Sequence, residues 1–362
     1  MIYIAGSNLF GQWNSDNRIL NKFHALLPTI NSLDQNVHDV KVLQINWSYN
    51  ILEIDKTLYL CGAWNGKERQ RVKIPLPQES TLDLNAAGND YSIIVARRNS
   101  EELWVRGLAL KSEIKKVNLN IEVPLTNVVK KMKIKRGVSK VAITNDSCLY
   151  LTTEGNVYNG ILPSYVDTSH CMGNILDVHC GYEHFMLLTD LGRVYTWGNG
   201  RRLQLGHGDV SNLEIPTEVD ALAGIKITKI CAGGWHSMCV SEFGDLYAWG
   251  WNDTGQLGIK EVENMSKESL QSYGVPTLVD LFDDHGQQVH ENIKDIACGS
   301  KHSAILLEDN TVWTTGYNKY GQLGFSEEKY PSMNNFKKAF QHNGDCMLIC
   351  GPWTTVILSK VK

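Results

Sequence analysis

One motif recurs along this chain about every 51 residues, and its first and last copies are complementary halves. The clearest copy begins Cys231-Ala-Gly-Gly-Trp-His236-Ser237, passes through the apolar run Met238-Cys239-Val240, and ends Gly244-Asp-Leu-Tyr-Ala-Trp-Gly250. Residues 180–198 and 298–316 repeat it. In all three the His-to-Gly separation is 14: His184 to Gly198, His236 to Gly250 and His302 to Gly316. Weaker copies set Tyr49-Asn50 before Gly62, Tyr91-Ser92 before Gly107 and Asp146-Ser147 before Gly160. A further first half, Cys350-Gly-Pro-Trp-Thr354-Thr355, lies close to the last residue. Ile2-Tyr-Ile-Ala-Gly6 is a second half with nothing before it.

Each half reads as a strand. Tyr195-Thr-Trp197, Tyr247-Ala-Trp249 and Phe185-Met-Leu-Leu188 are short aromatic and aliphatic runs bounded by Gly, Asp and Asn. Two such runs joined by a tight turn make a hairpin. A four-stranded blade has two faces to cover, and a ring of blades covers all of them. Pairing the two terminal halves closes the ring and removes its free edges. The expected fold is therefore all-β, a single seven-bladed β-propeller over 1–362, with a closing blade shared by residues 1–13 and 345–362. In segment 17–27, Ile19, Leu20, Phe23, Leu26 and Leu27 fit a short amphipathic helix, inserted between blades and ended by Pro28.

A second signature follows the repeat Gly by six residues: Gln12, Gln204, Gln256 and Gln322. Gly-Gln-Leu-Gly stands at 255–258 and 321–324, whereas Leu203 interrupts the pattern before Gln204. Here the chain must turn tightly, and an amide side chain can bond exposed backbone groups.

Composition sets outer limits. There are 31 Gly against 9 Pro, which suits a chain of many tight turns. The net charge of −4 argues against a protein whose main work is wrapping nucleic acid, so direct DNA binding is not expected. No apolar run approaches the length of a membrane-spanning helix, and Met1–Gly6 does not read as a signal peptide, so no membrane partner is expected. The nine cysteines are odd in number and lack a Cys-x-x-Cys pair, which favours reduced, packed thiols over a disulfide framework.

The residues Cys/Ala-Gly-x-x-His-Ser, Tyr-x-Trp-Gly and Asn-x-x-Gly-Gln-Leu-Gly in tandem resemble the regulator of chromosome condensation family. The resemblance is strong over 176–325 and at 348–358, and weak over 40–165. Residues 232–252 and the ending Cys350–Trp353 are similar to small members that partner a JmjC-domain, histone demethylase-like oxygenase. The resemblance implies such an oxygenase as partner, with histones as a second candidate. It further implies a nuclear, chromosome-associated role in histone lysine methylation and chromosome segregation. The alternative it carries is guanine-nucleotide exchange on a Ran-like small GTPase. The basic N-terminal tail of the founding exchange factor has no counterpart before the strand that starts at residue 2.

Each candidate site also has a plainer reading. His184, His236 and His302 hold one repeat position and are read as architectural, as are Gly198, Gly250 and Gly316. Equivalent positions on neighbouring blades lie too far apart to share one metal. Cys180, Cys298 and Cys350 alternate with Ala232, which reads as a small buried side chain. His207-Gly-Asp209 matches part of an iron facial triad, and Asp283-Asp284-His285 with His290 could be drawn as a metal site. Both fall in loops and are read as chance. The run Lys130–Arg136 is read as a solvated strand. Nucleotide-loop, hydrolase-elbow and zinc-protease templates are absent, so a non-enzymatic chain needing no cofactor is expected. The best functional lead is aromatic: Trp235, His236, Trp251, Asn252, Pro352 and Trp353 form the expected partner-binding set, in a protein working as a monomer or half of a heterodimer.

Overall fold

Four-stranded antiparallel sheets recur seven times around the molecule. The computed structural model describes residues 1–13, 15–26, 39–75, 84–98, 100, 102–109, 112–117, 137–144, 147–259 and 272–359. The basic run 130–136 lies outside the described residues. Blades 1 to 6 follow in chain order over 40–73, 84–117, 138–166, 175–218, 227–278 and 293–341. Blade 7 joins the ends: its strand order is Ile19–Leu26, Ile2–Ser7, Thr354–Ser359, Cys346–Gly351. The terminal strands pair antiparallel, with Ile2 opposite Leu358 and Gly6 opposite Thr354. The protein is an all-β, seven-bladed propeller closed by its own ends.

The first strand of every blade lies at the hub and contacts the first strand of the next, from Val40–Ile45 round to Cys346–Gly351 and back. Fourth strands lie at the rim, so Lys67–Lys73 is largely exposed. Second strands are sandwiched; His236–Ser241 and His302–Leu307 are buried at every residue. Strand alternation sends successive side chains to opposite neighbours. Met238 and Val240 pack with blade 6, while Cys239 between them packs with blade 4. Seven apolar clusters result, each filling one junction between adjacent blades.

Two expectations need correction. Residues 19–26 are not a helix but the outer strand of blade 7, paired with Ile2–Ser7 through a bulge between Ile4 and Gly6. The apolar spacing that looks helical comes from a strand with apolar residues on both faces, Leu20 and Leu26 toward blade 1 and Phe23 toward blade 6. The N-terminus thus supplies two strands of the closing blade, not one. The repeat position also slips by one residue in two weak copies. In blade 2, Ser92 rather than Tyr91 stands opposite Gly107, and Tyr91 is 73% exposed. In blade 3, Ser147 accepts the hub-strand bond from Thr144 that His184 accepts from Gly181 in blade 4. A one-residue slip turns a strand side chain to the other face.

Candidate interaction face

In each strong repeat the loop before the His and the chain leaving the repeat Gly emerge on the same side. This follows from the pairing of His184 with Gly198, His236 with Gly250 and His302 with Gly316, in antiparallel strands. One face of the propeller therefore collects loops 181–183, 233–235, 299–301 and 351–353 together with the longer excursions after the third strands.

Beneath that face runs a chain of buried polar contacts linking blade to blade. His184 Nε2 lies 3.0 Å from Ser237 Oγ, His236 Nε2 2.9 Å from Ser303 Oγ, and His302 Nε2 3.1 Å from Thr355 Oγ1. The hydroxyls donate onward to the carbonyls of Gln204, Gln256 and Gln322 at 2.9, 2.6 and 2.7 Å. With the hydroxyl hydrogen so used, Nε2–H is the donor and Nδ1 is bare. Burial pushes the rings of His184, His236 and His302 down to about 3, 4 and 3, so they are neutral. Each ring lies against the Gly three residues before it; a Cβ at Gly181, Gly233 or Gly299 would overlap it. The Gln side chains hold the departing loops: Oε1 accepts from the backbone N–H two residues earlier, at 2.8 Å for Arg202 and 2.9 Å for Tyr320. Backbone bonds join the mouth loops directly, from Tyr182 N to Gly234 O, Gly234 N to Gly299 O and Ser300 N to Pro352 O.

On this framework stand half-exposed aromatics. Trp353 contacts Tyr317, Tyr320 and Trp47, with ring centroids 5.8, 5.5 and 6.2 Å apart. Trp47 also meets Tyr320 at 5.2 Å and Phe10 at 5.6 Å. This patch spans blades 6, 7 and 1, directly over the closing seam. On the other side of the mouth, Trp235 meets Tyr182 edge-on at 5.6 Å. Trp251 carries Arg202 at 4.1 Å and Lys301 at 4.3 Å over its ring, and Lys301 pairs with Asp253 at 2.7 Å. Such contacts are worth about 0.5–1 kcal/mol each at exposed positions.

The expected contact residues divide accordingly. Trp235, Trp251, Pro352 and Trp353 are on the face and half-buried. His236 lies beneath the face, its ring wholly buried and bonded to Ser303 Oγ of the next blade. Asn252 is half-buried, but its Oδ1 accepts from Leu257 N at 3.0 Å and fixes the loop, as Asn8 and Asn318 do in theirs. Sequence reasoning missed Phe10, Trp47, Tyr182, Tyr317, Tyr320, Arg202 and Lys301. The signal was positional: Trp47 and Tyr182 stand two residues before the repeat position, next to the place Trp235 and Trp353 occupy.

The metal-like patterns separate in space. His207 Nε2 meets Thr196 Oγ1 at 2.9 Å, while Asp209 accepts from Ser211 N in an exposed turn. Asp283 accepts from His285 N and Gln287 N, and Asp284 pairs with Lys337. Among the described residues no group of three or more His, Cys, Asp or Glu is placed to hold a metal.

A toroid of seven four-stranded blades with a loop face over a polar hub is a β-propeller of repeat type. Comparison with known proteins places it further. The regulator of chromosome condensation repeat matches residues 192–240 and 244–306, and a second description of the same repeat matches 175–204, 227–256 and 293–322. The chain thus carries regulator of chromosome condensation repeats within residues 175–322. It is 33% identical over 217 residues to human RCC1 domain-containing protein 1, covering 50% of this chain and 55% of that protein. It is 34% identical over 194 residues to human E3 ubiquitin-protein ligase HERC2, covering 51% of this chain and 4% of that one. The chain thus spans about half the length of the first of these relatives. Yeast Prp20, solved bound to Kap60, superimposes with a TM-score of 0.71 at 16% identity, over 100% of this chain and 89% of that one. Human WBSCR16 does so with 0.70 at 17%, over 99% and 100%. At such identity the likeness is one of fold.

Proposed function

We propose that this protein is a non-enzymatic interaction platform whose loop face binds a JmjC-type oxygenase and so acts on chromatin, in the nucleus, through the state of histone lysine methylation. The observation that carries the platform reading is the aromatic patch over the seam. Phe10, Trp47, Tyr317, Tyr320 and Trp353 are half-exposed and mutually packed. Large rigid aromatics lose little freedom on binding and dominate interface energetics. The loops beneath them are already fixed by hydrogen bonds, so little ordering remains to oppose association. The choice of an oxygenase rests on the similarity of residues 232–252 and 350–353 to small family members with that partner. Chromosome segregation follows from the same likeness.

The test is binding between the purified chain and a JmjC-domain oxygenase from the same cells, measured by calorimetry. Saturable binding that Trp353→Ala weakens at least tenfold supports the reading; no binding overturns it. A second reading is nucleotide exchange or histone binding. It is favoured by the whole-chain fold likeness to Prp20p, a protein studied for its binding to Gsp1p and histones. Release of fluorescent GDP from a Ran-like GTPase, accelerated far above the spontaneous rate, would promote exchange in place of the platform.

A further inference from the structure

The aromatic patch over the seam does not stand alone on the loop face; charged side chains continue it. The residue before the His, or before its counterpart Thr354, is Trp235 in blade 5, Lys301 in blade 6 and Trp353 in blade 7. The residue after the Gly is Trp251 in blade 5 and Tyr317 in blade 6. Each of these two rings meets the next blade. Lys301 Nζ stands 4.3 Å from the centre of Trp251, and the Trp353 ring stands 5.8 Å from that of Tyr317. Tyr317 N donates to Lys301 O at 2.8 Å and so joins the two pairs. One continuous surface thus runs from cations over blades 4 and 5 to rings over blades 6, 7 and 1.

The whole chain carries a net charge of −4, yet unspent charge on this surface is positive. Arg201, Arg202 and Lys319 are exposed, and none forms an ion pair among the described residues. Arg201 and Lys319 hold one repeat place, three residues after the Gly; Asp253 holds it in blade 5. Two carboxylates of the same loops are already engaged. Asp253 pairs with Lys301 at 2.7 Å, and Glu183 accepts from Asn199 Nδ2 at 2.6 Å. Trp251 holds the Arg202 guanidinium carbon 4.1 Å from its ring centre. A guanidinium stacked on a ring keeps its in-plane N–H groups free, and that fork grips a carboxylate with two bonds.

We infer that this surface takes an extended acidic segment of a partner protein, with carboxylates on Arg201, Arg202 and Lys319 and an adjoining leucine or phenylalanine on the patch around Trp353. The inference rests on the platform reading for the face it uses, and not on which partner brings the segment. Clustered cations are a recurring means of reading acidic motifs, and complementary charge selects the partner and its register. Single-stranded nucleic acid also seeks cations and rings, but it stacks its bases on flat ring faces. The rings here stand edge to face. Trp353 makes interplanar angles of 66°, 61° and 77° with Tyr317, Tyr320 and Trp47, and Trp47 makes 78° with Phe10. Each such contact spends a ring face on a neighbour's edge, and Trp251 already carries Arg202 and Lys301. A protein segment is therefore favoured over a base-stacked strand.

The probe is a fluorescein-labelled peptide of about twelve residues, glutamate-rich at one end and carrying leucine and phenylalanine at the other. It is titrated into the full chain and read by anisotropy. Saturable binding is expected, at least about tenfold weaker with glutamine in place of the glutamates and at least about tenfold weaker for Arg202→Glu. Raising sodium chloride from about 0.05 to 0.3 M should weaken it at least about fivefold. A lysine version of the peptide should bind Arg202→Glu more tightly than wild type, which also shows that this variant is folded. Failure of the glutamate peptide to bind, equal affinity for the glutamine peptide, or tighter binding of an oligothymidylate of about twelve nucleotides overturns the inference. If a JmjC-domain oxygenase binds and the peptide does not, this inference alone falls. If the peptide binds and the oxygenase does not, only the choice of that partner falls.

Discussion

His302 of blade 6 donates from Nε2 to Thr355 Oγ1 of the closing blade, 3.1 Å away, and Thr355 donates in turn to Gln322 O at 2.7 Å. Thr355 is paired on its other side with Ala5 of the N-terminal strand. Thr355 therefore ties three parts of the chain at the seam, two through its hydroxyl and one through its backbone, and the ring is fastened by the same device that joins blades 4, 5 and 6. Thr355→Val keeps the shape and removes the hydroxyl. It strands one buried imidazole N–H and one carbonyl, at a cost of about 2 kcal/mol. The urea midpoint should fall accordingly with an unchanged slope. A midpoint equal to wild type would mean that the seam does not depend on this contact.

The three buried imidazoles should make the protein acid-sensitive. Their folded pKa values, about 3, 4 and 3, lie below the ordinary 6.5, so the unfolded chain binds protons first as pH falls. Stability is then fully present above pH 6.5 and is lost as pH drops toward the folded values. Each ring contributes about 1.4 kcal/mol per pH unit across that window, and three together about 4. By pH 5 this amounts to about 6 kcal/mol, a large share of ordinary domain stability. Urea midpoints measured from pH 7.5 to 4.5 should trace the decline, and His302→Gln should lessen its steepness by about a third. A flat profile between pH 6.5 and 5 would contradict neutral burial.

Leu203 occupies a position built for glycine. Its φ is +63°, in a loop where Gly11, Gly255 and Gly321 take the same place at +68°, +83° and +75°. A side chain there costs about 1–2 kcal/mol, partly offset by the greater freedom glycine has when unfolded. Leu203→Gly should raise stability by about 1 kcal/mol and the melting temperature by about 2 °C. A fall on calorimetry would show that Leu203 packing outweighs its backbone strain.

The repeat and its closure were legible because His, Gly and Gln mark the ends of strands, where geometry is least tolerant. The outer strand of blade 7 was not. Its apolar residues are shared between two faces, Leu20 and Leu26 toward blade 1 and Phe23 toward blade 6, so no one-sided alternation marks it as a strand. The bulge at Ile4/Gly6 shifts the pairing from His24 to Leu20, an even step that leaves each side chain on its own face. In blades 2 and 3 the His was missing, so nothing fixed the register, and the exposed Tyr91 passed for the buried position. The face was half legible. Trp235 and Trp353 adjoin the motif, but Tyr317 and Tyr320 join them only because blades 6 and 1 flank the seam, and no local pattern reports that.

Two tryptophans separate face from core by energy. Trp249 is wholly buried, and its Nε1 donates to Gln204 O at 2.9 Å, between blades 4 and 5. Trp353 is half-exposed and touches three aromatic rings. Truncating a buried Trp leaves a cavity and removes one of the two donors to the Gln204 carbonyl, so Trp249→Ala should cost about 3–5 kcal/mol. Trp353→Ala leaves no enclosed hole. It forfeits edge-to-face contacts worth about 1–2 kcal/mol in all. Urea denaturation of both variants at pH 7.5 would decide the matter. A small loss for Trp353 beside a large one for Trp249 marks the seam patch as a surface kept for contact. Equal losses would mean that its rings are core, holding the ring shut, and that a partner must dock elsewhere.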